Sequence, residues 1–358
     1  MIRVNNIHLS LDYDDKSVRK AVAQQLRIEE KSIKSCKIFR RSVDARKKDN
    51  IYFLTTVDAE LNINEDKVCK KCGNAQIARK YEYNQMKFGN APSPIVVGAG
   101  PAGLFAALIL ARSGAKPILI ERGRDVDRRT ADVNRFWTSG KLDITSNVQF
   151  GEGGAGTFSD GKLNSGTKDI RQRKVLEEFV SHGAPDEILY NAKPHIGTDM
   201  LKGTIKNIRN EIIELGGRVM FETKLVSMAF SDNKLKSITV ETDNGDEIIE
   251  TDNIILAIGH SARDTFEMLY DLKLPIEAKP FSVGARIEHL RQKVDKAQYG
   301  RFAGNKKLGS ANYKLSTHLD NGRGVYTFCM CPGGKVVNAS SEENRLCTNG
   351  MSEFARDA

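Results

Sequence analysis

Cysteine is scarce in this chain: six in 358 residues, at positions 36, 69, 72, 329, 331 and 347. That is too few, and too scattered, for a disulfide-stapled scaffold, so reduced thiols are expected. Long hydrophobic runs are absent too. No stretch approaches the ~18 apolar residues that cross a bilayer, so no membrane-spanning helix is expected. The opening Met-Ile-Arg-Val-Asn-Asn lacks the pattern of a secretory signal, and a cytoplasmic location is the expectation. Acidic residues are outnumbered: 55 Lys+Arg against 46 Asp+Glu leave a net charge of +9. Because the two signs are interspersed, the excess reads as a solvated basic surface rather than a nucleic-acid track, and no membrane partner is expected.

Cys69-Lys-Lys-Cys72 has the spacing of a zinc half-site, but no second Cys or His pair lies near it in sequence. No metal is assigned to it. Ordinary thiols are the simplest account, with a lysine-activated redox pair as the alternative.

With 40% hydrophobic and 28% charged residues, the chain can bury two or three domain cores. Alternation and helical periodicity predict a strand at 2–9, a helix at 16–26 and strands near 33–39 and 51–57, a small β-α-β-β module. The basic 40–50 segment between the last two strands lacks the interleaved aromatics that stack on bases, so it reads as a solvated hairpin. Residues 61–93 are polar and close on Ala91-Pro92-Ser93-Pro94, which suits a linker. Helices are expected near 170–182 and 199–215, with strands at 217–225 and 237–241 and a buried one at 253–259. From Leu274 onward, strand-like runs such as 281–288 and 325–330 suggest a mainly β domain. The resulting division is a small α+β domain and linker over 1–90, a nucleotide-binding domain over 91–265, and a substrate (cap) domain over 266–358.

The most informative stretch runs from Pro94 to Gly123, PIVVGAGPAGLFAALILARSGAKPILIERG. Ile95-Val96-Val97 reads as a buried strand, Gly98-Ala99-Gly100-Pro101-Ala102-Gly103 as the turn after it, and Leu104–Arg112 as a helix. In such a unit Gly98 permits the tight turn, Gly100 admits a pyrophosphate to the backbone, and Gly103 lets the helix pack on the strand. The helix N-terminus supplies N–H groups and partial positive charge to the diphosphate. A second strand then ends in Glu121, 18 residues beyond Gly103, where an acid accepts hydrogen bonds from a ribose diol.

This segment, with Ala107 and Glu121-Arg122, resembles the FAD fingerprint of the glutathione-reductase-like flavoprotein superfamily. Ile254 to Ser261, with Ala257 and Gly259, is similar to that superfamily's second cofactor motif. The resemblance implies that Arg122 belongs to the FAD site and that the backbone of Leu225 meets the adenine. Phe150-Gly151-Glu152-Gly153-Gly154-Ala155-Gly156-Thr157-Phe158-Ser159-Asp160-Gly161-Lys162-Leu163, together with Lys193–Asp199 and Phe328–Gly334, narrows the resemblance to a bacterial family of FAD-dependent dehydrogenases that carry a small N-terminal domain. The implied architecture is α/β: a Rossmann-like FAD-binding domain with a small N-terminal β-α-β-β domain and a mainly β substrate domain. Relative to that family the chain looks truncated before its third cofactor segment.

Five glycines between Gly151 and Gly161 remove side chains where backbone must approach a flat ligand, and Thr157 and Ser159 bring hydroxyl donors. Lys162 is a candidate for the diphosphate or for the flavin edge where negative charge builds on reduction. His195 is the candidate acid/base; a structural loop histidine is the alternative. Cys329 and Cys331 would share one face of an extended strand, where they lie too close in sequence for an easy disulfide, and a dithiol redox mechanism would need the flavin beside them. An FAD-dependent oxidoreductase follows, taking a hydride from a small-molecule substrate and passing electrons to an unidentified acceptor. The alternative is a non-catalytic nucleotide- or RNA-associated protein.

Overall fold

The computed structural model describes residues 1–79, 81–89, 92–167 and 169–358. Its first sheet is built from β1 (Ile2–Leu9), β2 (Ile33–Asp44), β3 (Tyr52–Leu61) and β4 (Ala75–Ile77), in the order β2-β3-β1-β4, and is antiparallel throughout. Along β1 the buried residues are Ile2 and Val4, then Ile7 and Leu9. The switch from even to odd positions is made by a bulge between Val4 and Ile7, where Asn6 adopts φ 57°; without that extra residue the second pair would face solvent. Helix α1 (Asp15–Leu26) is started by a capping box between Asp14 and Ser17 and buries Val18, Val22 and Leu26, one stripe at i, i+4, i+8. The expected linker is shorter than its composition suggests. Asn64 caps helix α2 (Glu65–Lys71), whose Val68 is buried, and β4 closes the sheet. Lys80, Asn90 and Ala91 of that linker lie outside the described residues.

The central sheet is parallel, ordered β11-β5-β6-β7, from β5 (Ile95–Val97), β6 (Ile118–Ile120), β7 (Arg218–Met220) and β11 (Ile254–Leu256). Every residue of β5 is buried, as a strand covered on both faces requires. Val96 and Leu119 pack with helices α3 (Pro101–Arg112) and α6 (Thr198–Glu214) on one face. Ile95, Val97 and Ile120 pack on the other against an antiparallel meander, β8 (Lys224–Ser231), β9 (Lys234–Thr242) and β10 (Gly245–Glu250), joined by α7 (Arg263–Asp271). Helices α4 (Val126–Ser139) and α5 (Gln172–Ser181) complete this part.

Two strand expectations need correction here. The single strand at 217–225 is two: Glu222 at φ 53° breaks it, sending β7 into the parallel sheet and β8 into the meander. The 253–259 strand is not buried. It is the three-residue edge strand β11, with Ile255 and Leu256 partly in solvent.

Beyond residue 266 the structure is not mainly β. It holds most of α7, helix α8 (Arg291–Tyr299) and two two-stranded hairpins, β12 (Ser316–His318) with β13 (Gly324–Tyr326), and β14 (Lys335–Asn338) with β15 (Thr348–Met351). The 281–288 run has strand composition but no partner strand among the described residues, and its Phe281 and Val283 are 86% and 85% exposed. Strand pairing, not composition, decides a strand. Tyr299, Leu308 and Ala311 join the core of the N-terminal sheet, and Arg41 of β2 hydrogen-bonds Asn191 and Tyr13. The basic 40–50 segment is therefore a docked element on its Arg41 side.

Candidate functional site

The turn after β5 is held by close backbone approach. A Cβ on Gly103 would lie 1.8 Å from the carbonyl oxygen of Gly98, and a Cβ on Gly98 would lie 2.4 Å from that of Ala257. Both positions therefore exclude a side chain, and Gly98 also takes φ 100°. Gly100 is different. Its Cβ would meet nothing nearer than the Gly154 Cα at 3.9 Å, so glycine there is not demanded by the protein's own packing. Gly100 is the N-cap of α3, has no side-chain cap, and is followed by Pro101 at the first helical position, with Pro101 and Ala102 exposed. An accessible helix N-terminus lacking a capping side chain is suited to an anion.

The Gly-rich string lies against this turn. Gly153 N–H donates to the Ala99 carbonyl at 2.8 Å, and Gly154, at φ 62°, faces Gly100 so closely that its own Cβ would come within 3.1 Å of the Gly100 Cα. Thr157 turns its hydroxyl inward toward the Glu152 carbonyl (3.4 Å), Gly156 is unobstructed, and the Ser159 carbonyl accepts from Thr198 Oγ1 at 2.7 Å.

Glu121 is buried, and backbone amides surround its carboxylate. Oε2 accepts from Ala99 N–H (2.8 Å), Oε1 from Gly123 (2.9 Å) and Gly151 (3.1 Å). A carboxylate has about four acceptor positions, and the protein uses three of them to tie the turn, the second strand and the Gly-rich string together. Arg122 ion-pairs with Asp264 at 2.9 Å, donates to Thr265 Oγ1, and stacks on Phe150. Leu225 is buried in the meander core, Ala257 N–H donates to Val97, and Gly259 is exposed at φ 70°.

Sequence reasoning missed the residue that holds the string in place. Arg129, fully buried in α4, donates to the carbonyls of Asn147 (2.8 Å), Val148 (3.0 Å), Gly151 (3.3 Å), Glu152 (2.5 Å) and Gly154 (2.9 Å). Burial pulls its guanidinium down to about 10, against the nearby charges of Glu121 and Glu152. A signal was present: Arg129 lies between Val126 and Val133 on the buried stripe of α4. Glu152 is also buried. It accepts from Val126 N–H and Arg209, leaves Oε1 without a partner among the described residues, and burial raises its pKa.

A second cluster lies where the string ends. Gly161, at φ 63°, packs on Gly197, and Lys162 and His195 form a backbone bridge. Buried Asp160 receives Lys162 Nζ at 2.8 Å, Arg356 and Ser352. Lys162 thus ends between the Asp160 carboxylate and the Cys331 thiol, 3.4 Å away. The His195 ring stacks on Phe354 and places Nε2 3.0 Å from the Phe354 carbonyl oxygen. Only a protonated nitrogen can donate there, so Nδ1 is the basic nitrogen; burial, with Arg356 adding, lowers the ring's pKa.

With this geometry established, residues 92–267 match the family described as pyridine nucleotide-disulphide oxidoreductase, residues 280–358 the one described as FAD-dependent protein, C-terminal domain-like, and residues 1–60 a domain of unknown function. An uncharacterized protein of Clostridium beijerinckii is 48% identical over 362 residues, covering 99% of this chain and 67% of its own. The chain belongs to that protein's family, and its cofactor is FAD. Solved structures match less well. Thermovibrio ammonificans THI4 is 15% identical over 51% of this chain and 64% of its own, with a TM-score of 0.32; the flavin-dependent monooxygenase PieE, solved with FAD and substrate, is 17% identical over 54% and 34%, also at 0.32. At these scores the two carry no conclusion about this chain, which spans less than two thirds of either. No helix among the described residues is long and apolar enough to cross a membrane.

The residues present fit FAD. The uncrowded Gly100, the accessible α3 N-terminus and the facing Gly154 make a cradle that a single added side chain would fill.

Proposed function

We propose that this protein is an oxidoreductase that oxidises a small-molecule substrate at FAD, with the diphosphate lying on Gly98–Gly103 and Gly153–Gly154. The observation that carries this reading is the α3 N-terminus, accessible at Pro101 and Ala102 and opposed by Gly154 at the one glycine of the turn whose Cβ would make no contact closer than 3.9 Å. When bound, FAD supplies a two-electron acceptor that takes a hydride from the substrate. The chain's own residues position and deprotonate. Ala102 and Gly103, at the start of α3, turn N–H groups toward the diphosphate. Glu121 has one acceptor position left for a ribose hydroxyl, while Arg129 keeps the Gly-rich string rigid behind the cofactor.

His195 is the proposed base. Its Nδ1 can accept a substrate proton, and its lowered pKa keeps the ring neutral at physiological pH. Lys162 and Arg356 then hold positive charge near that proton, with Asp160 fixing both. The substrate, its electron acceptor and a cytoplasmic location complete the proposal. The interspersed charge again favours a small molecule over nucleic acid. Anaerobic screening of FAD-loaded protein by loss of the oxidised-flavin absorption tests it: a substrate that bleaches the wild type and not His195→Ala supports the assignment, whereas equal bleaching rates sink His195 as the base.

A further inference from the structure

On an extended strand, residues two apart are separated by about 6.6 Å along the chain, whereas the Cβ atoms of a disulfide lie about 3.5–4.5 Å apart. The expected strand through Cys329 and Cys331 would therefore keep these thiols separate. The structure ends that strand at Tyr326 and turns the chain at Cys329, which adopts φ 52°. A left-handed conformation is uncommon for a cysteine and has to be held by its surroundings. Here the turn folds Cys331 back until its thiol donates to the Cys329 carbonyl at 3.5 Å, which brings the two cysteines together.

The surroundings are shaped for these sulfurs. Arg286 donates to the Cys329 carbonyl at 3.1 Å and adds its charge beside the Cys329 thiol, and Lys162 Nζ stands 3.4 Å from the Cys331 sulfur. A Cβ on Gly350 would come within 2.5 Å of that sulfur, so a side chain is excluded there. Both cysteines are only half-buried, which leaves them open to a small reagent. The neighbouring Cys331 thiol, helped by Lys162 and Arg286 and opposed by burial, brings the Cys329 thiol below the ordinary thiol range, while Cys331 is pushed up. Cys36 and Cys69, by contrast, are raised by burial.

We propose that Cys329 and Cys331 form a redox-active dithiol that reduces low-molecular-weight disulfides, with both thiols outside residues 92–267 and with steps that need no flavin. The Cys329 thiolate attacks one sulfur of the disulfide, forming a mixed disulfide and releasing one thiolate. Cys331 then loses its proton and attacks the Cys329 sulfur. The Cys329–Cys331 disulfide forms, the second thiolate leaves, and the Cys331 proton goes to a released thiolate. The protein gives up two electrons, and the substrate disulfide becomes one thiol and one thiolate, the latter taking its proton from water. Lys162 assists the second step by stabilising the Cys331 thiolate as it forms.

The test treats the full chain with hydroxyethyl disulfide in the absence of oxygen, at about pH 5.5, then blocks free thiols with iodoacetamide and maps every cysteine by mass spectrometry. At that pH an ordinary thiol is almost wholly protonated, so the Cys329–Cys331 disulfide is expected to form about tenfold faster than any adduct at exposed Cys347, after allowing for the weaker nucleophilicity of an acidic thiol. Cys331→Ser should accumulate the mixed disulfide at Cys329, and Cys329→Ser should leave Cys331 unmodified. Reaction at the pair no faster than at Cys347, or no Cys329 adduct in Cys331→Ser, would overturn the proposal. The wild-type mapping decides by itself if a variant fails to fold.

Discussion

The Nη2 of Arg129 lies 2.9 Å from the carbonyl oxygen of Gly154, the glycine that faces Gly100 across the proposed diphosphate path. A fully buried guanidinium on a helix thus fixes the position of a loop that has little side-chain packing of its own. Replacing it by Met leaves five carbonyls without their donor. The expected loss is at least about 3 kcal/mol in urea unfolding, the scale for breaking a buried charged network. Arg129→Lys should recover little, because an ammonium cannot reproduce the planar five-donor fork.

The glycines of the turn divide into two kinds, and substitution separates them. Gly103→Ala drives a methyl into the Gly98 carbonyl and is expected to destabilise the fold whether or not FAD is present. Gly100→Val meets nothing nearer to its Cβ than the Gly154 Cα, at 3.9 Å. It should keep a near wild-type melting temperature as apoprotein while losing FAD retention. Thermal unfolding beside FAD titration checks both, and a Gly100→Val chain that still retains FAD would move the cofactor elsewhere.

Glu121→Ala removes the acceptor of three buried amides. Stability of the apoprotein should fall by about 1–3 kcal/mol. If Glu121 also holds the ribose, FAD affinity measured below the melting transition falls as well; an unchanged affinity would confine Glu121 to tying the turn.

Much of this was legible in the sequence. Strand, turn, helix and acid appear in order between Ile95 and Glu121, and the β-α-β-β module announces itself by alternation, because both patterns are local. Three things were not local. The inward turn of Glu121 depends on Gly151 arriving from 30 positions away. The role of Arg129 depends on a string that contributes carbonyls and no side chain to the contact. The bend at Cys329 breaks a run whose composition reads as strand. The C-terminal region was misread for a related reason: apolar alternation at 281–288 signals a strand only where a partner exists.

Asp160 gives the account a pH signature. Burial alone would raise its carboxyl, but Arg356 and Lys162 outweigh burial and hold it below the ordinary value. Its native pKa is thus below its unfolded one, so the stability it contributes is complete above about pH 4 and is lost as pH falls through the lower native value. Asp160→Asn should be less stable than wild type by about 3 kcal/mol at pH 7, and the gap should narrow below pH 4. A gap independent of pH would mean that the ion pairs are not what Asp160 contributes.

The most direct measurement is the visible absorption spectrum of the freshly purified chain, with chromatography of whatever cofactor heat releases, repeated after adding FAD and with Gly100→Val alongside. Oxidised-flavin bands, FAD released at close to one per chain, and loss of both in a folded Gly100→Val are the results expected from a diphosphate on the α3 N-terminus. A folded, colourless chain that takes up no added FAD, or a Gly100→Val chain as yellow as the wild type, would contradict it.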